Sequence, residues 1–476
     1  MTTMPNEDNA QSSTLDILNF VPTDDQRHAL ATFYDFMSCP NERSAMLLRG
    51  SAGTGKTTIA ATIVKTLLRA GRKVMLLAPT GRAAKVFSLY AKCEAFTIHR
   101  KIYRQKVFAG DFNLNDNLHK DTLFIVDEAS MIANQGYENA MFGSGCLLDD
   151  LVQFVYQGHG CRLLLIGDKA QLPPVGEDES PALNAAFMAG YGLKIFECDL
   201  DEVVRQSEES GILFNATRLR RLITRDALTQ LPRIRLSGFA DVRRVTGAEL
   251  IEEIASSYHE VGADETIVVT RSNKRANIFN RGIRNTVLAY EDLLSSGDML
   301  MVVKNNYYWS EKEKLSISFL ANGDRARVSR VRRHRELYGF HFADVLLTLP
   351  DYDDAELEAT VLLETLEAEA PALTRDQNDQ LFQQVMEDYA DIRLKSERIK
   401  MLRSDPHYNA LQIKFGYAVT CHKAQGGQWA HVYLDQGYVT EENLTPDYIH
   451  WLYTAFTRAT ERLYLINWPE KQEETD

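Results

Sequence analysis

The stretch Gly50-Ser51-Ala52-Gly53-Thr54-Gly55-Lys56-Thr57 decides the fold, because it satisfies the P-loop pattern G-x-x-x-x-G-K-[ST] at every position. An apolar run, residues 46–48, precedes it, and a helical pattern over residues 57–68 follows. Glycines let backbone N–H groups turn inward around a phosphate, and the start of the helix adds its positive dipole end. We therefore expect a nucleotide site in which Lys56 contacts the β and γ phosphates and the Thr57 hydroxyl holds Mg²⁺.

Two further apolar runs end in polar residues that suit the same site. Residues 123–126 lead into Asp127 and Glu128, and residues 163–166 lead into a loop that contains Gln171. Parallel strands end at one edge of their sheet, so these side chains are expected beside the P-loop. Asp127 is predicted to hold Mg²⁺ through water, Glu128 to act as the general base, and Gln171 to reach the γ-phosphate.

Short apolar runs alternate with helical segments in two parts of the chain, which is typical of parallel sheets covered on both faces. The runs are residues 46–48, 74–77, 123–126 and 163–166 in the first part, and 266–269, 418–420, 431–434 and 462–466 in the second. Residues 297–350 are rich in Val, Tyr, Phe and Arg and contain two Gly-Asp turn signals, which predicts a small β-barrel. Residues 353–405 resemble acidic helices with little to bury.

Composition limits the class of protein without deciding its partner. The chain has 476 residues, 45% of them hydrophobic, and a net charge of -13, which argues against a nucleic-acid partner at first. Residues 351–400 hold 14 acidic and 5 basic residues, so most of the excess lies in one segment. The body can still present a basic groove. The absence of a long apolar run and the scattered cysteines predict a cytoplasmic protein without a membrane span.

Two arginines are candidates for stabilising charge across a cleft between the two α/β parts. Arg205 lies near the predicted junction, and Arg458 lies on a helix near the C-terminus. An arginine from a second domain can stabilise transition-state charge on a transferring phosphoryl group. Spacing alone leaves surface salt bridges as the alternative for both residues.

Taken together, the motifs resemble superfamily 1B helicases, and most closely the RecD and Dda branch. The resemblance covers about residues 20–467 and is carried by these segments in order: 23–26, 50–57, 78–84, 97–100, 127–130, 167–174, 205–206, 419–426 and 453–459. The sequence T-x-H-K-A-Q-G at residues 420–426 is specific to this superfamily. The resemblance assigns Arg205 and Arg458 to the γ-phosphate and Gln26 to the adenine.

The resemblance implies a fold and an activity. The fold is α/β, with two RecA-like P-loop domains in tandem, a small 1B pin insertion, and an SH3-like barrel (2B) that carries a helical extension. The expected boundaries are 1–198 for domain 1A with the pin at about 101–121, 199–296 and 412–476 for domain 2A, and 297–411 for 2B with an acidic tower at about 353–405. The implied activity is ATP- and Mg²⁺-dependent 5′–3′ translocation on single-stranded DNA with strand separation at duplex junctions, by a monomer.

Expected site residues follow from the matched motifs. The nucleotide set is Gln26, Gly50, Ala52, Gly53, Thr54, Gly55, Lys56, Thr57, Thr58, Asp127 and Gly427. The DNA set is Pro79, Thr80, Thr97, His99, Thr420, His422, Lys423 and Gln425, with Phe108 and Phe112 as candidate wedges of the pin. Structural histidines and an ordinary loop at 101–121 are the alternatives. The arginine run at 325–335 is a further candidate for contact with the DNA backbone, although a charged run in a strand is more often a solvated face. At the level of function, an RNA-translocating relative and a non-translocating P-loop switch remain open.

Overall fold

We describe the protein from a computed structural model. It describes residues 21–105, 112–136, 143–202, 209–225, 231–313 and 319–474. Within these ranges no helix has both the length and the apolar character needed to span a bilayer. Two parallel sheets and one closed barrel organise the described residues.

The first lobe is a six-stranded parallel sheet covered by helices on both faces. Its strands lie in the order β3 (Ala95–Thr97), β2 (Lys73–Ala78), β6 (Thr122–Val126), β7 (Arg162–Gly167), β1 (Ser44–Gly50) and β8 (Lys194–Leu200). Buried apolar residues on the two faces of the sheet form two separate clusters, one with the first helices and one with the later helices. The elements in chain order are α1 Asp24–Ser38, β1 Ser44–Gly50, α2 Lys56–Arg69, β2 Lys73–Ala78, α3 Gly81–Ala91, β3 Ala95–Thr97, α4 Ile98–Ile102, β4 Tyr103–Gln105, β5 Phe112–Leu114, β6 Thr122–Val126, α5 Leu147–Gln157, β7 Arg162–Gly167, α6 Ala185–Ala189 and β8 Lys194–Leu200.

The second lobe is a five-stranded parallel sheet in the order β16 (Ala418–Thr420), β10 (Thr266–Thr270), β17 (Trp429–Asp435), β18 (Ala459–Ile466) and β9 (Val242–Val245). A barrel of five strands, β11 to β15, interrupts it between its β10 and β16 strands. The elements in chain order are α7 Gly211–Thr224, β9 Val242–Val245, α8 Leu250–Glu260, β10 Thr266–Thr270, α9 Asn273–Gly282, β11 Met299–Val302, α10 Tyr308–Lys312, β12 Arg325–Leu337, β13 Phe340–Leu349, β14 Ala355–Leu362, α11 Glu364–Glu367, α12 Arg375–Asp388, α13 Lys395–Arg403, β15 Leu411–Phe415, β16 Ala418–Thr420, α14 Cys421–Ala424, β17 Trp429–Asp435, α15 Pro446–Phe456 and β18 Ala459–Ile466. The predicted fold class is confirmed.

The barrel is larger than expected, and the helical part is smaller. Residues 355–362, predicted to be helical, form barrel strand β14, whose Leu357, Ala359 and Val361 point into the core. Strand β15 also closes the barrel, so the barrel continues past residue 411 to Phe415. The helices are not without a core either, because α12 and α13 pack with β13 around a buried apolar cluster of their own.

A two-stranded antiparallel ladder lies in the segment predicted for the pin. Strand β4 pairs with β5, with Tyr103 opposite Leu114. The base of the ladder is anchored by the Tyr103 hydroxyl, which donates a hydrogen bond to Asp150 Oδ2 at 2.6 Å. Residue Phe108 lies outside the described residues. Phe112 begins β5.

Candidate nucleotide cleft and nucleic-acid interface

The P-loop needs glycine at three positions, at two because of the backbone conformation and at one because of the space available. Gly53 and Gly55 have φ angles of 81° and 87°. A Cβ atom on Gly50 would lie 2.7 Å from Thr54 Oγ1 and 2.9 Å from Leu200 Cβ. No side chain in the described part of the chain caps the start of α2, so its first N–H groups have no side-chain acceptor there. This arrangement suits an anion such as phosphate.

Lys56 stands at the first position of α2 and reaches back over the loop. Its Nζ donates a hydrogen bond to the Ser51 carbonyl oxygen at 2.8 Å. Thr57 and Thr58 follow it on the same turn and line the same cleft. The ammonium is therefore held beside the uncapped helix start, where a bound phosphate would lie.

The carboxylate pair follows β6 at the carboxyl edge of the sheet. Burial, followed by repulsion from Glu128, raises the pKa of Asp127 to about 7, and Lys56 opposes the rise. The Glu128 N–H donates to Asp127 Oδ1 at 2.9 Å. Glu128 has a φ of 53°, a left-handed backbone that is costly for a residue with a side chain and is often found at functional sites. Asp127 and Thr57 line one cleft, so a divalent cation fits between them chemically and would keep Asp127 ionised.

The P-loop and the carboxylates line a cleft of about 680 Å³ between the two lobes, a volume typical of small-molecule sites. The first lobe contributes the predicted residues Gln26, Ala52, Gly53, Gly55, Lys56, Thr57, Thr58, Asp127, Glu128 and Gln171. The second lobe contributes residues from α7, from the segment after α14 and from the turn after α15, among them Arg458. Residues that are far apart in sequence thus surround one space.

Gln26 lies beside the cleft, but its amide group is already used by the protein. The side chain is 1% exposed, and its Nε2 donates to the Thr54 carbonyl oxygen at 3.1 Å. Its Oε1 accepts from the Thr23 N–H at 3.2 Å, within the capping box of α1. In this arrangement Gln26 supports the P-loop. Its expected contact with adenine stays a prediction.

Arg458 is buried and faces the cleft from the second lobe. It is 2% exposed, its Nη1 donates to the Gly427 carbonyl oxygen at 3.0 Å, and its Nε donates to the Thr454 carbonyl oxygen at 3.0 Å. Gly427 therefore orients the arginine, while the neighbouring Gly426 lines the cleft. Arg205 lies outside the described residues.

Sequence analysis missed Arg220 of α7, whose Nη1 donates to Ser51 Oγ at 3.0 Å in the P-loop. No motif marks it, because it lies in an ordinary helical pattern.

Gln171 and Gln425 meet across the lobes. Gln425 Nε2 lies 3.5 Å from Gln171 Oε1 and donates to the Leu172 carbonyl oxygen at 2.9 Å. Both glutamines are buried. A residue predicted to reach the γ-phosphate is thus in contact with one predicted to bind DNA.

The first-lobe DNA candidates have local structural roles. Thr80 and Thr97 cap α3 and α4 by accepting from the N–H groups of Ala83 and Arg100, each at 3.2 Å. Pro79 directly precedes Thr80 at the end of β2. His99 packs its ring near Tyr103 and Phe319, and burial lowers its pKa to about 4. A neutral His99 packed against aromatic rings favours the structural alternative for this residue.

Among the second-lobe residues predicted to bind DNA, Lys423 has the most unusual electrostatic environment. Its Nζ is buried and has no hydrogen-bond partner within the described part of the chain. Burial, followed by the charge of Lys414, lowers the pKa of Lys423 to about 8. His422 beside it is exposed, and Thr420 precedes α14. A buried ammonium without a partner is costly, and an anion would remove that cost.

The arginine run in β12 is largely paired inside the protein. Arg325 bonds to Asp351 at 3.1 Å, Arg332 to Glu358 at 2.6 Å, and Arg335 to Asp344 at 2.5 Å. Arg327 pairs with Asp264. These contacts favour the solvated, structural interpretation of the run over a DNA contact.

A phosphate loop in one lobe and a buried arginine in the other, on two sides of one cleft, define a two-lobed P-loop nucleotide-binding protein. Comparison with known proteins narrows the class. The AAA domain family matches residues 23–233, and the UvrD-like helicase C-terminal domain family matches residues 415–466. These matches support the resemblance to superfamily 1B helicases that the motifs predicted, and they relate the chain to Dda and RecD2.

The similarity to individual relatives is concentrated in part of the chain. The ATP-dependent DNA helicase dda of Enterobacteria phage T4 is 31% identical over 167 residues, 34% of this chain and 34% of the phage protein. The ATP-dependent RecD2 DNA helicase of Deinococcus radiodurans is 32% identical over 169 residues, 35% of this chain and 20% of that protein. The chain thus matches about a third or less of these relatives' lengths. The crystal structure of a Bacteroides Pif1 helicase in complex with ADP-AlF3 and single-stranded DNA covers 96% of this chain, with 95% of its own chain matched, at 14% identity and a TM-score of 0.47.

Proposed function

We propose that this protein hydrolyses ATP to move 5′ to 3′ along single-stranded DNA and to separate duplexes ahead of it. The observation that carries the proposal is the cleft between the lobes, where Lys56 and Glu128 of one lobe lie opposite Arg458 of the other. The contact between Gln171 and Gln425 supports it further, because it joins the nucleotide side to the proposed DNA side. The 5′–3′ direction is inferred from the family.

The proposed roles in hydrolysis follow the chemistry of each side chain. Lys56 and the uncapped N–H groups of α2 bind the phosphates, and Thr57 and Asp127 hold Mg²⁺, which would neutralise charge on the phosphate oxygens. Glu128 orients and deprotonates the attacking water. Arg458, now bonded to backbone carbonyls, would turn toward the charge that develops on the γ-phosphate. Because that arginine belongs to the second lobe, nucleotide binding would draw the lobes together and hydrolysis would release them.

The proposed path of DNA crosses both lobes at the carboxyl ends of their strands. Lys423 offers a buried positive charge for a strand phosphate, with exposed His422 next to it. Contacts to phosphates hold a strand without reading its sequence, which suits a motor that must pass every base. The β4–β5 ladder is the proposed pin at the junction with the duplex.

A direct test compares unwinding of partial duplexes that carry either a 5′ or a 3′ single-stranded tail, in DNA and RNA versions. We expect unwinding of the 5′-tailed DNA duplex only. Preference for a 3′ tail would reject the inferred direction, and equal unwinding of RNA would favour an RNA-translocating relative. A nucleotide-gated switch, the remaining alternative, would show no large stimulation of ATP hydrolysis by single-stranded DNA.

A further inference from the structure

Tyr453 joins the two lobes at the phosphate-binding loop. The residue lies on α15 of the second lobe and is 1% exposed. Its hydroxyl accepts a hydrogen bond from the Ala52 N–H at 3.0 Å and donates one to Asp168 Oδ2 at 2.6 Å. One hydroxyl therefore bridges the P-loop and the loop that follows β7.

The bridge has a fixed hydrogen-bond direction. Burial, followed by the charge of Asp168, raises the pKa of Tyr453 well above its ordinary value of 10, so the phenol keeps its proton. Asp168 is 3% exposed and also accepts from the Ala170 N–H at 2.9 Å through Oδ1. The Tyr453 bond therefore satisfies the second oxygen of a buried carboxylate, which has no other side-chain or backbone donor among the described residues.

The loop that begins at Asp168 also contacts residues of the second lobe that lie close to Tyr453 in the sequence. Thr454 Oγ1 accepts from the Leu172 N–H at 2.8 Å, and a ring nitrogen of His450 lies 3.0 Å from the Ala170 carbonyl oxygen. Gln425, two residues after Lys423, donates to the Leu172 carbonyl oxygen at 2.9 Å. A continuous series of contacts thus runs from the proposed DNA contact at Lys423, through the loop after β7, to Ala52.

We propose that Tyr453 is a positioning residue that transmits DNA binding to the P-loop. This inference rests on the proposed function, because it explains how a bound DNA strand stimulates ATP hydrolysis. Tyr453 acts through Ala52 and Asp168: when a strand shifts α14 and the loop after β7, the hydroxyl carries the shift to the P-loop backbone. Loss of the hydroxyl would uncouple DNA from turnover more than it would weaken nucleotide binding.

The test uses Tyr453→Phe, with Tyr448→Phe as the matched control. Tyr448 lies on the same helix, is 1% exposed, and donates from its hydroxyl to Gln436 Oε1 at 2.5 Å, away from the P-loop. We expect Tyr453→Phe to lower the stimulation of kcat by single-stranded DNA about tenfold, as loss of a hydrogen bond to a charged group does. The Kd of a non-hydrolysed ATP analogue without DNA should change less than about twofold. Tyr448→Phe should keep the stimulation of the wild type.

Asp168→Asn provides a second variant and a double-mutant cycle. If the two residues act as one unit, the double variant should lose no more stimulation than the more affected single variant. Three results would overturn the role of Tyr453 without touching the proposed function. They are wild-type stimulation in Tyr453→Phe, an equal loss of stimulation in Tyr448→Phe, and additive losses in the double variant. A wild-type protein that DNA does not stimulate would overturn the proposed function itself.

Discussion

The nucleotide cleft and the proposed DNA interface differ in how directly short motifs describe them. Lys56, Asp127, Glu128, Gln171 and Arg458 all line one cleft, as their motifs suggested. The residues predicted to bind DNA differ in their surroundings, since some of them cap helices or pack into cores. Among them, Lys423 alone has a buried ammonium without a hydrogen-bond partner in the described residues. Phosphate binding uses the backbone of one contiguous loop, whereas a strand-binding surface is assembled from residues of several elements. The nucleotide site is therefore easier to infer than the DNA interface.

The largest effect is expected from Lys56→Ala, which tests the nucleotide side of this comparison. Removing the ammonium should lower the kcat of ATP hydrolysis by at least about a thousandfold, because it neutralises phosphate charge inside the cleft. DNA binding should survive in part. Steady-state ATPase assays with Lys65→Ala, a change on the same helix, as control would measure this. Near-normal turnover would contradict the assignment of the P-loop.

Glu128→Gln separates binding from chemistry within the cleft. The amide keeps the size of the carboxylate but cannot accept the proton of water, so hydrolysis should fall about a hundred- to a thousandfold. The Kd for ATP should stay within a few-fold of the wild-type value. Single-turnover hydrolysis and equilibrium binding of the same preparation would test both statements, and hydrolysis near the wild-type rate would remove Glu128 as the general base.

A deletion within the predicted pin tests the proposed DNA interface. Removing residues 106–111, between β4 and β5, should reduce duplex unwinding about tenfold while translocation on single strands changes little. The physical reason is that a wedge is needed only where base pairs are opened. Unwinding and displacement of a strand-bound protein would be measured on one preparation. Equal losses in both assays would reject the pin.

The smallest effect is expected at Lys423, and it depends on pH. With a pKa of about 8, Lys423 is charged below that pH and neutral above it, so the Kd for single-stranded DNA should rise a few-fold between pH 7 and pH 9. Lys423→Gln should abolish this rise and reduce the salt dependence of log K by about 0.7, the value for one contact on a single strand. Lys395→Gln, which removes an exposed charge from α13, should leave both unchanged. Binding titrations over pH and salt would show whether Lys423 contacts phosphate.

Some elements escaped prediction because their local pattern is ambiguous. The strand β14 has the sequence Ala-Glu-Leu-Glu-Ala-Thr-Val-Leu, whose acidic residues favour a solvated helix when taken alone. In the barrel the strand alternates outward glutamates with inward Leu357 and Ala359, and pairing with β13 decides the outcome. The edge strand β8 was missed for a similar reason, since its Lys, Glu and Asp residues interrupt any apolar run.

The sequence by itself determined the nucleotide loop and the two parallel sheets, because glycine spacing and apolar runs encode local backbone geometry directly. Only the tertiary structure decided which side chains meet across the cleft. Ala52 and Tyr453 are 401 positions apart, and Gln171 and Gln425 are 254 apart. No local pattern links such residues, since their contact depends on how two separately packed lobes are placed against each other.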